Sequence, residues 1–330
     1  MSNRDHSRLD EDDVRVRPQR GKSRPRSKER PSHEDAQQGM VVAVDRGRWT
    51  CIVGEGSEER VVTAMRAREM GRKGIVVGDT VSIVGDSSGD DDTLARIVRI
   101  GPRRTALRRS ADDTDPIERV VVANADQLAV VAALADPAPQ TRLVDRALVA
   151  AFDGGLEPLL VLTKADLADP APVIEAYSAL GVRAVVTRRG GDLAELHAAV
   201  DGRLTVLLGA SGVGKSTLVN ALVPDADRAT GHVNAVTGRG RHTSTSAVAL
   251  ELPAGGWVID TPGIRSFGIA HVDPAKIVSA FEDLAAGTAE CPRGCTHDEE
   301  ECGLDAWVAG GGSTPERLDS LRRLLRSRNA

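Results

Sequence analysis

Residues Gly209-Ala-Ser-Gly-Val-Gly-Lys-Ser216 fit the phosphate-loop pattern G-x-x-x-x-G-K-[ST] and directly follow the apolar run RLTVLLG, 203–209. Few short stretches constrain a fold as tightly. The glycines let the backbone wrap an anion, so that its N–H groups and the N-terminus of the next helix face the charge. The context must therefore be strand, loop, helix within an α/β sheet. In this reading Gly209, Ala210, Ser211, Gly212, Val213, Gly214, Lys215, Ser216 and Thr217 form the phosphate cradle. Lys215 neutralises β/γ-phosphate charge, and Ser216 places its hydroxyl on Mg²⁺.

The flanking sequence agrees with such a sheet. From Val120 to Asp260 buried-type strands QLAVVAAL, EPLLVLT, VRAVVT and RLTVLLG alternate with expected helices at 140–152 and 192–200. Two more strands, AVALELP and GWVID, are joined through Ala254–Gly256. The second ends in Asp260-Thr-Pro-Gly263, which resembles a Walker B/switch II element. Its Asp holds a Mg²⁺-bound water and its Gly N–H senses the γ-phosphate. The hydroxyl-rich stretch GRGRHTSTS, 238–246, stands where switch I belongs. Thr243 or Thr245 would complete the Mg²⁺ shell.

Thr163-Lys164-Ala165-Asp166 ends the strand EPLLVL, at the sheet edge where α/β proteins bind ligands. The Asp166 carboxylate can accept from guanine N1–H and N2–H, which adenine cannot supply. Lys164 would cover the base and brace the phosphate loop. Thr163 replaces the commoner Asn.

Upstream, residues 40–100 read as short strands, MVVAV, RWTCIVG, ERVVTAM, TVSIVG and LARIVRI, separated by turns. That pattern fits an oligonucleotide-binding (OB) barrel. Trp49 is its one candidate for base stacking, and Arg103, Arg104, Arg108 and Arg109 add positive charge at its exit. Shape and phosphate contacts on folded RNA suit such a module. Residues 1–38 are polar and basic, with too little to bury, and are expected to be disordered. They form an RNA-touching arm or a solubilising tail. Residues 1–110 carry 23 Lys/Arg against 18 Asp/Glu, while the remaining 220 carry 20 against 30. This asymmetry marks a nucleic-acid-facing end or an ordinary soluble surface.

No apolar run is long enough for a membrane span and no signal peptide is evident, so a cytoplasmic protein is expected. Of four cysteines, Cys51 stands alone in a strand. Cys291-x₃-Cys295-x-His297-x₄-Cys302 offers a Cys₃His set for one tetrahedral structural Zn²⁺, with no position left open for catalysis. Thr314–Pro315 opens an amphipathic terminal helix.

The order is thus base reader, phosphate loop, switch I, switch II. It resembles that of the ribosome small-subunit-dependent GTPase family (RsgA, also called YjeQ). The likeness is carried by VVGDTV, TKAD, GASGVGKSTLVNAL, GRGRHTST, DTPGIRSF and the Cys/His cluster. The resemblance implies a multidomain α/β chain. Its parts would be a basic tail (1–38), an OB-type β-barrel that binds RNA (39–110), a circularly permuted P-loop GTPase domain (111–270) and a C-terminal helical zinc-binding domain (271–330). It further implies a monomer that hydrolyses GTP to GDP when stimulated by the small ribosomal subunit and its rRNA, in late maturation of that subunit. The alternative is an rRNA-binding scaffold with a structural nucleotide.

The sequence departs from common GTPases in places. Ile264 follows the DTPG, where Ras-like enzymes have a water-orienting Gln; His242 takes that role, or merely packs or contacts RNA. VVTRRGG stands where a Ser-Ala base-backing element is usual, with Thr187 as a partial match. Two gaps in the Cys/His cluster are each one residue tighter than the family pattern.

Overall fold

The computed structural model describes residues 33–54, 56–71, 74–90, 93–110, 118–224, 247–261, 268–269, 272–299 and 301–329. Residues 1–32 of the expected tail, all of 238–246 with His242, Thr243 and Thr245, and Gly263 and Ile264 lie outside them.

Strands β1 (Gln37–Asp45), β2 (Arg48–Val53), β3 (Arg60–Arg66), β4 (Thr80–Val84) and β5 (Ala95–Ile100) close on themselves in the order β1-β2-β3-β5-β4-β1, with β3 and β5 parallel. Alternating Val41, Cys51, Val53, Val62, Ala64, Val81, Ile83 and Ile97 point inward. Burial pushes the Cys51 thiol up to about 12, leaving it a small, unreactive apolar group. Trp49 does not serve as a stacking platform: it is buried, and its Nε1 donates to Ile75 O at 3.2 Å. β1 takes in the last two residues of the expected tail, since Gln37 and Gln38 already pair with Ile83 and Ser82.

The expected barrel boundary at residue 110 falls inside a hairpin of β6 (Ala106–Arg109) and β7 (Arg119–Ala123). The exit arginines are largely neutralised there. Arg103 grips Asp79, Arg104 meets Asp126 at 2.7 Å and Arg108 meets Glu118 at 2.7 Å.

Next come β8 (Gln127–Ala133), α1 (Thr141–Gly154), β9 (Glu157–Thr163), α2 (Ala171–Ser178), β10 (Arg183–Val186), α3 (Ala194–Val200), β11 (Leu204–Leu208), α4 (Lys215–Leu222), β12 (Val248–Glu251) and β13 (Trp257–Asp260). They build a sheet in the order β10-β9-β8-β11-β13-β12, parallel except for β12. Ala43 of β1 pairs with Val248 of β12, which joins barrel and sheet. Because successive strand residues face opposite sides, Val41 joins the barrel core and Val42 the core of the α/β layer; a register shift lies between Val41 and Ala43. The C-terminal section comprises α5 (Pro274–Ser279), α6 (Glu282–Ala285), α7 (Gly303–Ala309) and α8 (Pro315–Asn329). Thr314 caps α8 by accepting from Arg317 N–H at 3.3 Å.

The GDTV turn and Val77 before it lock the barrel to the β6–β7 hairpin. Gly78 N–H donates to Val41 O at 2.8 Å, Asn124 Nδ2 to Gly78 O at 2.9 Å, and Ala123 N–H to Val77 O at 2.9 Å. Asp79, fully buried, accepts from Arg103 Nε and Nη2 at 2.7 and 2.8 Å and from Val76 N–H at 2.8 Å. Gly78 has φ +85°, and a Cβ there would lie 1.9 Å from Ala123 O. Gly78→Ala therefore costs at least ~2 kcal/mol of unfolding free energy, by strain and clash together. Gly47→Ala also has positive φ but meets nothing within 4 Å, so it costs only about 1 kcal/mol. Denaturant unfolding of both variants checks the difference.

Candidate nucleotide site and metal centre

The carboxyl ends of β9, β10, β11 and β13 share one sheet edge because those strands run parallel in adjoining register. A cavity of ≈ 720 Å³ opens there. Its walls include Thr163, Lys164 and Asp166 at the end of β9. Ala210, Ser211, Gly212, Gly214, Lys215, Ser216 and Thr217 follow β11, and Thr187, Arg188 and Arg189 follow β10. The base-reading and phosphate-binding segments, apart in sequence, thus face one space.

Three expected contact residues support this cavity instead of lining it. A Cβ on Gly209 would meet Val131 O at 2.5 Å, so only glycine allows the loop to leave β11 against β8. Val213 is buried, and its carbonyl accepts from Thr163 Oγ1 at 2.6 Å. That hydrogen bond ties the two loops together and explains Thr163: its hydroxyl faces the protein. Ala165 N–H donates to Thr187 O at 3.2 Å, and Thr187 N–H to Leu162 O at 2.7 Å. Thr187 therefore braces the base loop. Lys164, at φ +59°, reaches back to donate to Asp136 O.

Lys215 is 8% exposed and donates to Asp260 Oδ1 and, at 2.6 Å, to Thr261 O. A buried ammonium needs such partners. Asp260, with a third of its side chain exposed, sits within reach of the loop that carries Ser216. A hydroxyl beside an accessible carboxylate is an all-oxygen donor set of the kind Mg²⁺ takes.

The cysteine cluster is assembled. Ligand atoms of Cys291, Cys295, His297 and Cys302 all lie within 4.8 Å of one another. Zn–S bonds of about 2.3 Å put tetrahedral thiolates roughly 3.8 Å apart. Cys291 Sγ and Cys302 Sγ are separated by 3.9 Å, and His297 Nδ1 stands 3.6 and 3.8 Å from them. The set fits zinc. Burial lowers the His297 pKa, favouring the neutral imidazole that ligates, and pushes the Cys295 thiol up to about 12. Stabilising its thiolate is what a bound cation would do. Around the ligands, the Glu299 carboxylate accepts from Thr296 N–H and Oγ1 at 2.9 and 2.8 Å, and these bonds hold its pKa down at about 2. His297 O accepts from Arg322 Nε at 2.8 Å. Purified protein is expected to carry one zinc per chain by atomic absorption. Cys302→Ser should lose most of it and lower Tm by several degrees, whereas Cys51→Ala should keep the metal.

The family model described as RsgA GTPase matches residues 100–270. The small ribosomal subunit biogenesis GTPase RsgA of Pseudomonas aeruginosa (strain LESB58) is 38% identical over 263 residues, covering 77% of this chain and 76% of its own. Among solved structures, YjeQ from Thermotoga maritima superposes with a TM-score of 0.66 and 27% identity, over 89% of this chain and 99% of that one. YloQ, a circularly permuted GTPase, shares the fold with a TM-score of 0.64 at 22% identity, over 91% and 98%. With the phosphate loop, the base loop and the four metal-type ligands in place, the chain belongs to the RsgA GTPase family.

Proposed function

We propose that this GTPase acts in biogenesis of the small ribosomal subunit, hydrolysing GTP when docked on that subunit during its late maturation. The observation that carries the proposal is the meeting of TKAD, the phosphate loop and Asp260 on one sheet edge, in a chain that is 38% identical to a protein of that name. Asp166 accepts from the guanine N1–H and N2–H groups, and the Lys164 stem covers one face of the base. Loop N–H groups from Ala210 to Thr217 hold the phosphates, backed by Gly209 and Val213. Lys215 exchanges its pairing with Asp260 for the β/γ-phosphates, so its charge stays compensated in both states. Ser216 and Asp260, with Thr243 or Thr245 from outside the described residues, would hold Mg²⁺, which when bound would spread phosphate charge. Gly263 and His242 lie outside the described residues; on the sequence pattern, Gly263 N–H would sense the γ-phosphate and His242 would orient the attacking water.

The barrel reads folded rRNA through shape and phosphate contacts, and zinc holds the C-terminal section in its docking form. No helix among the described residues is long and apolar enough to cross a membrane. Ribosome assembly puts a bacterial-type factor of this kind in the cytoplasm, where we expect it to work as a monomer.

GTP hydrolysis, measured alone, with purified small subunits and with large subunits, tests the proposal. Stimulation by small subunits only is expected; equal rates in all three would overturn it. Lys215→Ala should lower the stimulated rate at least ~100-fold. Asp166→Asn should move base preference from guanine toward xanthine, read by competition between GDP and XDP.

A further inference from the structure

The base end of the cavity has an unusual lining. No Phe, Tyr or Trp faces it among the described residues. A bound purine has two flat faces, and a face left wet forgoes the burial and stacking that hold bases elsewhere. Lys164, anchored on Asp136 O, runs its stem along one side. Leu167 stands 58% exposed at the rim. The remaining wall is Thr187, Arg188 and Arg189, at the place where a Ser-Ala element is usual.

The turn that follows β10 supplies two guanidiniums. Arg188 and Arg189 are both exposed and both line the cavity. Among the described residues neither side chain has an ion-pair or hydrogen-bond partner, unlike the arginines of the barrel exit and of α8. The turn is itself ordered. Gly191 N–H closes it on Arg188 O at 3.1 Å, and Gly190 takes φ +68°. Gly191 leaves room for the Arg188 stem, since a Cβ there would lie 2.7 Å from Arg188 Cγ. The hydroxyls nearby are not free for a base, because Thr163 Oγ1 is spent on Val213 O and Thr187 Oγ1 on Leu162 O at 3.2 Å.

We propose that the Arg188–Arg189 pair covers the second face of the bound guanine by guanidinium stacking, making this turn a determinant of nucleotide affinity. A guanidinium is planar and weakly hydrated, so it lies flat on a π-system where an ammonium cannot. The inference rests on the assignment of this cavity to a guanine nucleotide.

The test is calorimetric titration of GDP and IDP into the full chain. It compares wild type, the double variant Arg188→Ala with Arg189→Ala, and the double variant Arg188→Lys with Arg189→Lys. Both double variants should bind GDP about tenfold more weakly. IDP should weaken by the same factor, because inosine keeps the purine face and lacks only the exocyclic amine. Both substituted side chains are exposed, and unchanged melting curves will verify the fold. Wild-type affinity in the lysine variant would mean that charge alone suffices, and wild-type affinity in the alanine variant that the turn does not touch the base. A loss confined to GDP would mean that the pair acts through the exocyclic amine and its Asp166 contact and not on the purine face. Each of these overturns the stacking. Failure of wild type to bind GDP would instead overturn the nucleotide assignment.

Discussion

The pairing of β8 with both β9 and β11 is the constraint on which the rest of the molecule depends. β8 is buried along its whole length, and only Gln127 in it is polar. Gln127 Nε2 donates to Thr205 Oγ1 on β11 at 2.7 Å and to Ala199 O at 2.8 Å, so a slip of register would strand a buried amide. With that register held, β9 delivers Asp166 and β11 delivers Lys215 to the same edge. The Thr163–Val213 hydrogen bond then fixes their spacing directly. Chain order is irrelevant to this result. Parallel strands present their carboxyl ends together whichever is made first, which is why a permuted domain still builds one site.

Much of this was legible from residues whose chemistry is local. The phosphate loop requires glycine at Gly212 and Gly214 for positive φ, values of +82° and +94°, and such a requirement leaves a mark in sequence. The Cys/His cluster is legible for the same reason, as its ligands lie within one short loop. Features decided by distant partners were not. Trp49 looked available because a lone aromatic in a strand carries no sign of which face it takes. Helix α2 went unseen in APVIEAYS, which carries Pro172 and follows Pro170; both prolines sit at the helix start, where a missing N–H costs nothing. Arg103 and Arg104 read as free charge, and nothing near them in sequence announces Asp79 or Asp126.

The C-terminal section shares the core of the α/β layer: Phe281, Leu284 and Leu304 pack into one cluster with Leu128, Leu148 and Leu160. Leu304, Leu284 and Phe281 are buried, yet the loop around Cys291–Cys302 contributes little apolar surface beyond Cys302. A metal ion held by Cys291, Cys295, His297 and Cys302 would supply the cross-link that this loop's side chains do not. The loop is further tethered to α8. Arg322 meets Asp305 at 3.0 and 2.6 Å while donating to His297 O, and Arg326 meets Asp298 at 2.8 and 2.5 Å. Exposed pairs of this kind are individually weak. Their value here is geometric, since bidentate arginines fix both distance and orientation.

The same helix reaches the nucleotide sheet. Arg317 donates to Ala179 O at 2.8 Å and Arg323 to Ala176 O at 3.1 Å, both at the C-terminal end of α2. Carbonyls at a helix end carry partial negative charge and lack intrahelical donors, so guanidiniums are their natural partners. Arg323 also stacks on Tyr177, 4.7 Å from the ring centroid, and faces the buried Asp145 of α1 at 3.3 Å. The opposite end of α2 follows directly on the TKADL loop. One side of α8 therefore holds the metal loop, and the other holds the helix that leaves the base reader. Any displacement of the base loop that shifts α2 along its axis must move those carbonyls against Arg317 and Arg323. The Cys/His loop is in this way connected through α8 to the helix that follows the base loop, by contacts that do not involve switch II.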